Sequence, residues 1–188
     1  LGEDKAGRHQ IENAGTAIRA LRSLTGGRLA PQVVDTGLTQ VDWPARMQRL
    51  GPGRLWDYVP GEAELWLDGG HNPAAGLVLA QAMSELEERV SRPLVLVTGM
   101  INSKDVAGFL APFAGLASGV VTVTIPGEEN AVPAGDLAAI ARAAGLAAQE
   151  AGSLEQALAK AGQGAASPRI LICGSLYLAG RVLAAHQA

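Results

Sequence analysis

The segment Leu65-Trp66-Leu67-Asp68-Gly69-Gly70-His71-Asn72-Pro73 sets an acid, an imidazole and an amide in one tight turn. Leu65-Trp66-Leu67 reads as a buried strand that Asp68 closes. Gly69-Gly70 turns the chain sharply, and Pro73 stands where a helix would begin. Beyond it Leu77, Leu79, Ala80, Met83 and Leu86 recur at helical spacing. In an α/β sheet, ligands gather beyond the carboxyl ends of the strands. The first N–H groups of the next helix lack intrahelical partners and attract anions. Asp68 and His71 thus stand where a phosphate or a nucleotide would bind. For Asn72, ordinary helix capping is the simpler reading.

The run from Leu67 to Ala75 resembles the signature of the C-terminal domain of folylpolyglutamate synthase/dihydrofolate synthase, the folate members of the Mur ligase superfamily. Gly70 replaces the usual Ala. Other likenesses extend over almost the whole chain. His9-Gln10-Ile11-Glu12-Asn13-Ala14 resembles a Mur-type motif at the end of the central ATPase domain, which implies that Asn13 lies beside adenine. Read without the resemblance, Asn13 is a polar helix residue. Trp43-Pro44-Ala45-Arg46-Met47-Gln48 is similar to a family segment whose Arg reaches ATP phosphate, with Ala45 in place of Gly. A planar, permanently charged guanidinium suits developing phosphate charge. Gly99-Met100-Ile101-Asn102-Ser103-Lys104-Asp105 resembles the Gly-x-x-x-Asp-Lys-Asp loop, altered at Asn102-Ser103. The likeness implies that Lys104 meets the carboxylate of incoming glutamate; the alternative is an ordinary helix start with Asp105 as dipole partner. Gly174-Ser175-Leu176-Tyr177-Leu178-Ala179-Gly180 is similar to the family's closing segment, and implies that Ser175 orients glutamate. By itself Ser175 reads as a helix cap. Arg54, in Gly51-Pro52-Gly53-Arg54, repeats Pro-Gly-Arg but is expected to be solvated at a hairpin tip between residues 47–50 and 55–59.

The elements that would position these groups follow from periodicity. Ile11, Ala14, Ile18, Leu21 and Leu24 predict an amphipathic helix stopped by Gly26-Gly27. Residues 29–39 read as a linker. From Leu65 onward, strand patterns near 65, 94, 119, 147 and 169 alternate with helical ones. That order predicts an α/β fold, a three-layer, mainly parallel Rossmann-like sheet with helices on both faces, of the Mur ligase C-terminal domain type. Helices are expected over 106–116 and 134–144, and Ser153 with Gln156 reads as a capping box. The expected division is 1–28, the last helix of a central ATPase domain, and 29–188, the C-terminal glutamate-ligase domain.

The totals exclude several classes. With 48% hydrophobic and 18% charged residues in 188, the chain is globular. A net charge of −3 offers no basic stripe for nucleic acid. The single Cys173 supplies no disulfide framework and fits a reducing cytoplasm. No apolar run reaches the roughly 20 residues of a membrane span, and the charged opening Leu-Gly-Glu-Asp-Lys, which lacks an apolar h-region, is not expected to act as a secretory signal. The absence of an initiator Met suggests a piece of a longer protein. Gly-x-x-x-x-Gly-Lys-Ser/Thr does not occur, and no grouped metal ligands stand out. The resemblance implies that ATP and Mg2+ belong to the full-length enzyme, with neither held by this piece alone. It also implies an upstream ATPase domain as partner, and glutamate with dihydropteroate or folate as substrates. In that scheme Arg46 and His71 neutralise phosphate charge and Asp68 contacts the nucleotide. Another Mur-type ligase and a non-catalytic Rossmann-like binding domain are the competing expectations.

Overall fold

The computed structural model describes residues 8–41 and 43–187, with side chains from residue 11 onward; the charged start (residues 1–5) and Asp42 lie outside the described residues. The strands are Gln48–Arg49 (β1), Glu64–Leu67 (β2), Leu94–Thr98 (β3), Ala117–Val123 (β4), Ala148–Ala151 (β5) and Arg169–Cys173 (β6). The helices are Arg8–Leu24 (α1), Pro31–Gln40 (α2), Pro73–Arg89 (α3), Val106–Leu110 (α4), Ala134–Ala143 (α5), Leu154–Ala161 (α6) and Leu176–Gln187 (α7). One six-stranded sheet results, in the order β1-β2-β6-β3-β4-β5. All neighbours run parallel except β1, which lies antiparallel along β2 at one edge.

β6 shows why the sheet needs helices on both faces. All five of its residues are buried. Ile170 and Ile172 enter one core with Leu65, Leu67, Val97, Leu158 and Val182. Leu171 and Cys173 enter the other with Leu96, Leu79, Met83, Phe109 and Leu137. Strand alternation thus assigns α6 and α7 to one layer and α3, α4 and α5 to the other. This is the three-layer, mainly parallel architecture that the alternating pattern predicts.

At the amino end of the strands, Arg169 is 2% exposed. It donates from Nε to Glu64 Oε2 at 2.8 Å and from Nη2 to the Val90 carbonyl at 3.1 Å. Trp66 Nε1 also donates to Glu64 Oε2, at 3.2 Å. Arg92 Nε stands 3.6 Å from Glu64 Oε1, an ion pair without a hydrogen bond. Burial raises the Glu64 pKa, but the Arg169 and Trp66 hydrogen bonds together with the Arg169 and Arg49 charges outweigh it, and the group ends below the ordinary glutamate value.

Three expectations are corrected. Residues 29–39 are no linker: Pro31 opens α2, pre-set for the first helical turn. Val34 and Leu38, one turn apart, face Ala14, Ile18 and Leu21 of α1 across an apolar cleft of about 790 Å³. The glycines at 51 and 53 close no hairpin between residues 47–50 and 55–59. Residues Arg54–Tyr58 wind instead into a 3-10 turn that buries Leu55 in the α6–α7 layer, and β1 pairs with β2. Arg54 is nevertheless exposed, as expected. The helix over 106–116 is shorter, because α4 ends at Leu110 and tightens into a 3-10 turn at Ala111–Phe113.

Candidate functional site at the carboxyl rim of the sheet

Register brings the candidate residues to one end of the sheet. Leu67 pairs with Ile172, and Thr98 with Cys173, so β2, β6 and β3 finish at one level. Asp68, Gly174 and Gly99 leave the strands there. The turns are joined directly, since Gly174 N–H donates to the Gly70 carbonyl at 2.9 Å. Gly174 holds φ +105°, and a Cβ on it would come within 3.0 Å of the Gly99 carbonyl oxygen. Only glycine fits that close approach.

Arg46 arrives from outside the parallel sheet, on the turn before β1. Ala45 and Met47 on either side of it have φ of 55° and 41°. Its guanidinium is half-buried, 5.8 Å from the Trp43 ring centroid. It lies against Gly69: a Cβ there would be 3.2 Å from Arg46 Nη1 and would overlap Leu176 Cδ2. His71 Nδ1 is 2.8 Å from the carbonyl oxygen of the same Gly69. Arg46 and the start of α7 are therefore packed around one side-chain-free position, and His71 is held on the carbonyl of the same residue.

Asp68 is 5% exposed. Its Oδ2 accepts Met47 N–H at 2.7 Å and its Oδ1 accepts Gly70 N–H at 2.7 Å. Both carboxylate oxygens thus accept backbone N–H groups of the two turns that flank the rim. Ser175 is buried and its Oγ accepts Tyr177 N–H at 3.0 Å, the capping reading. Asn72 caps α3 through Ala75 N–H, and Asp105 caps α4 through Gly108 N–H. Cys173 lies buried beneath the rim: burial first, then the Asp68 charge, push its thiol well above the ordinary value, against a smaller opposing hydrogen bond with Thr98.

Lys104 and Asn13 do not join this cluster. The loop after β3 is drawn toward the β4 side by the Ile101–Ala131 bridge and the Asn102 N–H bond to Asn130. Lys104 therefore lines a separate open groove of about 590 Å³, with Asp136 and Ile140 of α5. Asn13 is exposed on α1, beside the cleft-lining Ala14. Gln48, which the sequence did not single out, belongs with Arg46: its Oε1 accepts Ala45 N–H at 2.9 Å. Among the described residues, no group of three or more His, Cys, Asp or Glu could hold a metal ion. No described helix is long and apolar enough to cross a membrane.

A mainly parallel sheet covered by helices on both faces, with its turns gathered at the carboxyl rim, defines a three-layer, Rossmann-like α/β domain. More specifically, residues 55–185 match the family model for the dihydrofolate synthetase C-terminal domain, and the chain belongs to that family. Folylpolyglutamate synthase from Lacticaseibacillus casei is 30% identical over 185 residues, covering 94% of this chain and 38% of that protein. Dihydrofolate synthase/folylpolyglutamate synthase from Mycobacterium tuberculosis is 32% identical over 143 residues, 74% of this chain and 26% of that protein. Among solved structures, M. tuberculosis folylpolyglutamate synthase complexed with ADP superposes with a TM-score of 0.76 at 26% identity, over 95% of this chain and 40% of that one. E. coli FolC in complex with DHPP and ADP gives 0.73 at 25% identity, over 92% and 38%. The chain thus spans well under half the length of these relatives.

Proposed function

We propose that this chain is the glutamate-ligase domain of a cytoplasmic, ATP-dependent folylpolyglutamate synthase/dihydrofolate synthase. Residues 1–28 would end a central ATPase domain, and 29–188 would form the C-terminal domain. In the whole enzyme a carboxylate of dihydropteroate or folate displaces ADP from the γ-phosphorus of ATP, giving an acyl phosphate. The glutamate amine then attacks the acyl carbon, phosphate leaves, and the amine loses its proton. Arg46 and His71 neutralise charge on the transferring phosphate. Lys104 pairs with a glutamate carboxylate, and Ser175 helps orient glutamate through the helix start that it caps. Asn13 lies toward adenine. Mg2+ is held by the upstream part, which also brings the phosphate loop.

The observation that carries this reading is the packing of Arg46 and His71 on Gly69 at the carboxyl rim. The ADP complexes of the structural neighbours support it. Joined to its upstream part, the protein is expected to release ADP only when glutamate and a dihydropteroate or folate substrate are both present. Arg46→Ala should lower kcat by roughly 100-fold, the scale of one lost charge-stabilising donor. Turnover of muramyl precursors instead, or full ligase activity from this chain unaided, would overturn the proposal.

A further inference from the structure

The Arg46 turn is held in a conformation it would not keep unaided. Ala45 and Met47 both carry a Cβ, yet sit at φ 55° and 41°. Left-handed backbone at such residues persists only where surrounding contacts impose it. Three contacts do so here. Gln48 Oε1 accepts Ala45 N–H at 2.9 Å, Asp68 Oδ2 accepts Met47 N–H at 2.7 Å, and Gly69 N–H donates to the Ala45 carbonyl at 2.9 Å. Two of the three end on side chains, and those side chains grip the residues on either side of Arg46. Asp68 then uses its second oxygen on Gly70 N–H, tying the Arg46 turn to the turn that carries His71. One buried carboxylate thus joins the two groups assigned to phosphate.

We propose that Gln48 and Asp68 are positioning residues that fix the Arg46 guanidinium beside His71. This rests on the reading of Arg46 as a phosphate-facing group. A misplacement of about 1 Å at a reacting centre costs on the order of 100-fold in rate. Losing the Gln48 acceptor frees one flank of the turn while the Asp68 flank stays held.

The test is a double-substitution cycle in the whole protein, read as glutamate-dependent ADP release. Gln48→Ala is expected to lower kcat roughly 10- to 100-fold while the KM for glutamate stays put. Gln48→Glu keeps an acceptor oxygen and should restore most of the rate. In an Arg46→Ala background, Gln48→Ala should add no further loss. Losses that multiply in that background, or an active Gln48→Ala enzyme, would overturn the proposal. Asp68→Asn leaves one amide oxygen for two N–H groups and should cost more; if it does not fold, the Gln48 cycle decides. If Arg46→Ala alone leaves activity intact, the phosphate reading fails. The positioning claim is then decided by a crystal structure of Gln48→Ala, in which a displaced Arg46 turn supports it and an unmoved turn refutes it.

Discussion

Glu64→Gln offers the sharpest test of what holds the sheet together at the end away from the site. Glu64 Oε2 receives Arg169 Nε at 2.8 Å and Trp66 Nε1 at 3.2 Å, while Arg49 Nη2 lies 3.5 Å from Oε1. A glutamine keeps one acceptor and turns an NH2 toward a set of donors. It also removes the counter-charge nearest a guanidinium that is 2% exposed. Breaking a buried pair costs about 3–5 kcal/mol. Glu87, 3.5 Å from Arg169 Nη1, and the Val90 carbonyl remain as partners. The expected loss is therefore near the low end, about 3 kcal/mol, measured by urea unfolding of the chain. Arg169→Met on top of Glu64→Gln should cost less than the sum of the singles, because the most buried guanidinium is then removed together with its counter-charge. The folded-state pKa of Glu64 lies below the ordinary 4.5, so its contribution is whole above that pH and fades as pH falls through the lowered value. A Glu64→Gln loss under about 1 kcal/mol, or strictly additive singles, would refute the reasoning.

Gly174→Ala should destabilise the chain by more than about 2 kcal/mol, since it meets both a φ of +105° and the Gly99 carbonyl oxygen; thermal unfolding checks it. Gly69→Ala is expected to behave differently. Leu176 is half exposed and can swing away, so unfolding should shift by under about 1 kcal/mol. The Arg46 guanidinium must move, however, and ligase turnover of the whole protein should fall at least tenfold. Cys173 should resist alkylation in the native state and react on unfolding, because burial and the Asp68 charge disfavour its thiolate; labelling at neutral pH with and without urea reads this.

Local patterns carried much of the fold. The apolar run before Asp68, the Gly-Gly turn and Pro73 announced β2 and α3 without tertiary information, and the strands near 94, 119 and 169 were legible for the same reason. α2 was hidden because Thr36, Gly37 and Thr39 are poor helix formers, and its apolar stripe makes sense only opposite α1. The 3-10 turn at Arg54–Tyr58 was masked by glycines that suggested a hairpin, although Leu55 is drawn into a core built from residues a hundred positions later. At the site, residue types pointed to Arg46, Asp68 and His71, but the inward aim of Asp68 depends on a contact with Met47 that only β1–β2 pairing creates. Gln48 carried no signal, because its role depends on an unusual φ at Ala45. The place of Lys104 was set by a bridge to Ala131 that no spacing in its own loop reveals.

The central claim is that Arg46 and His71 together face the phosphates of ATP. A crystal structure of the whole protein with a non-hydrolysable ATP analogue tests it most directly. The account expects phosphate oxygens about 2.7–3.2 Å from both the Arg46 guanidinium and the His71 ring. Phosphates seated elsewhere, out of hydrogen-bond reach of both Arg46 and His71, would contradict it.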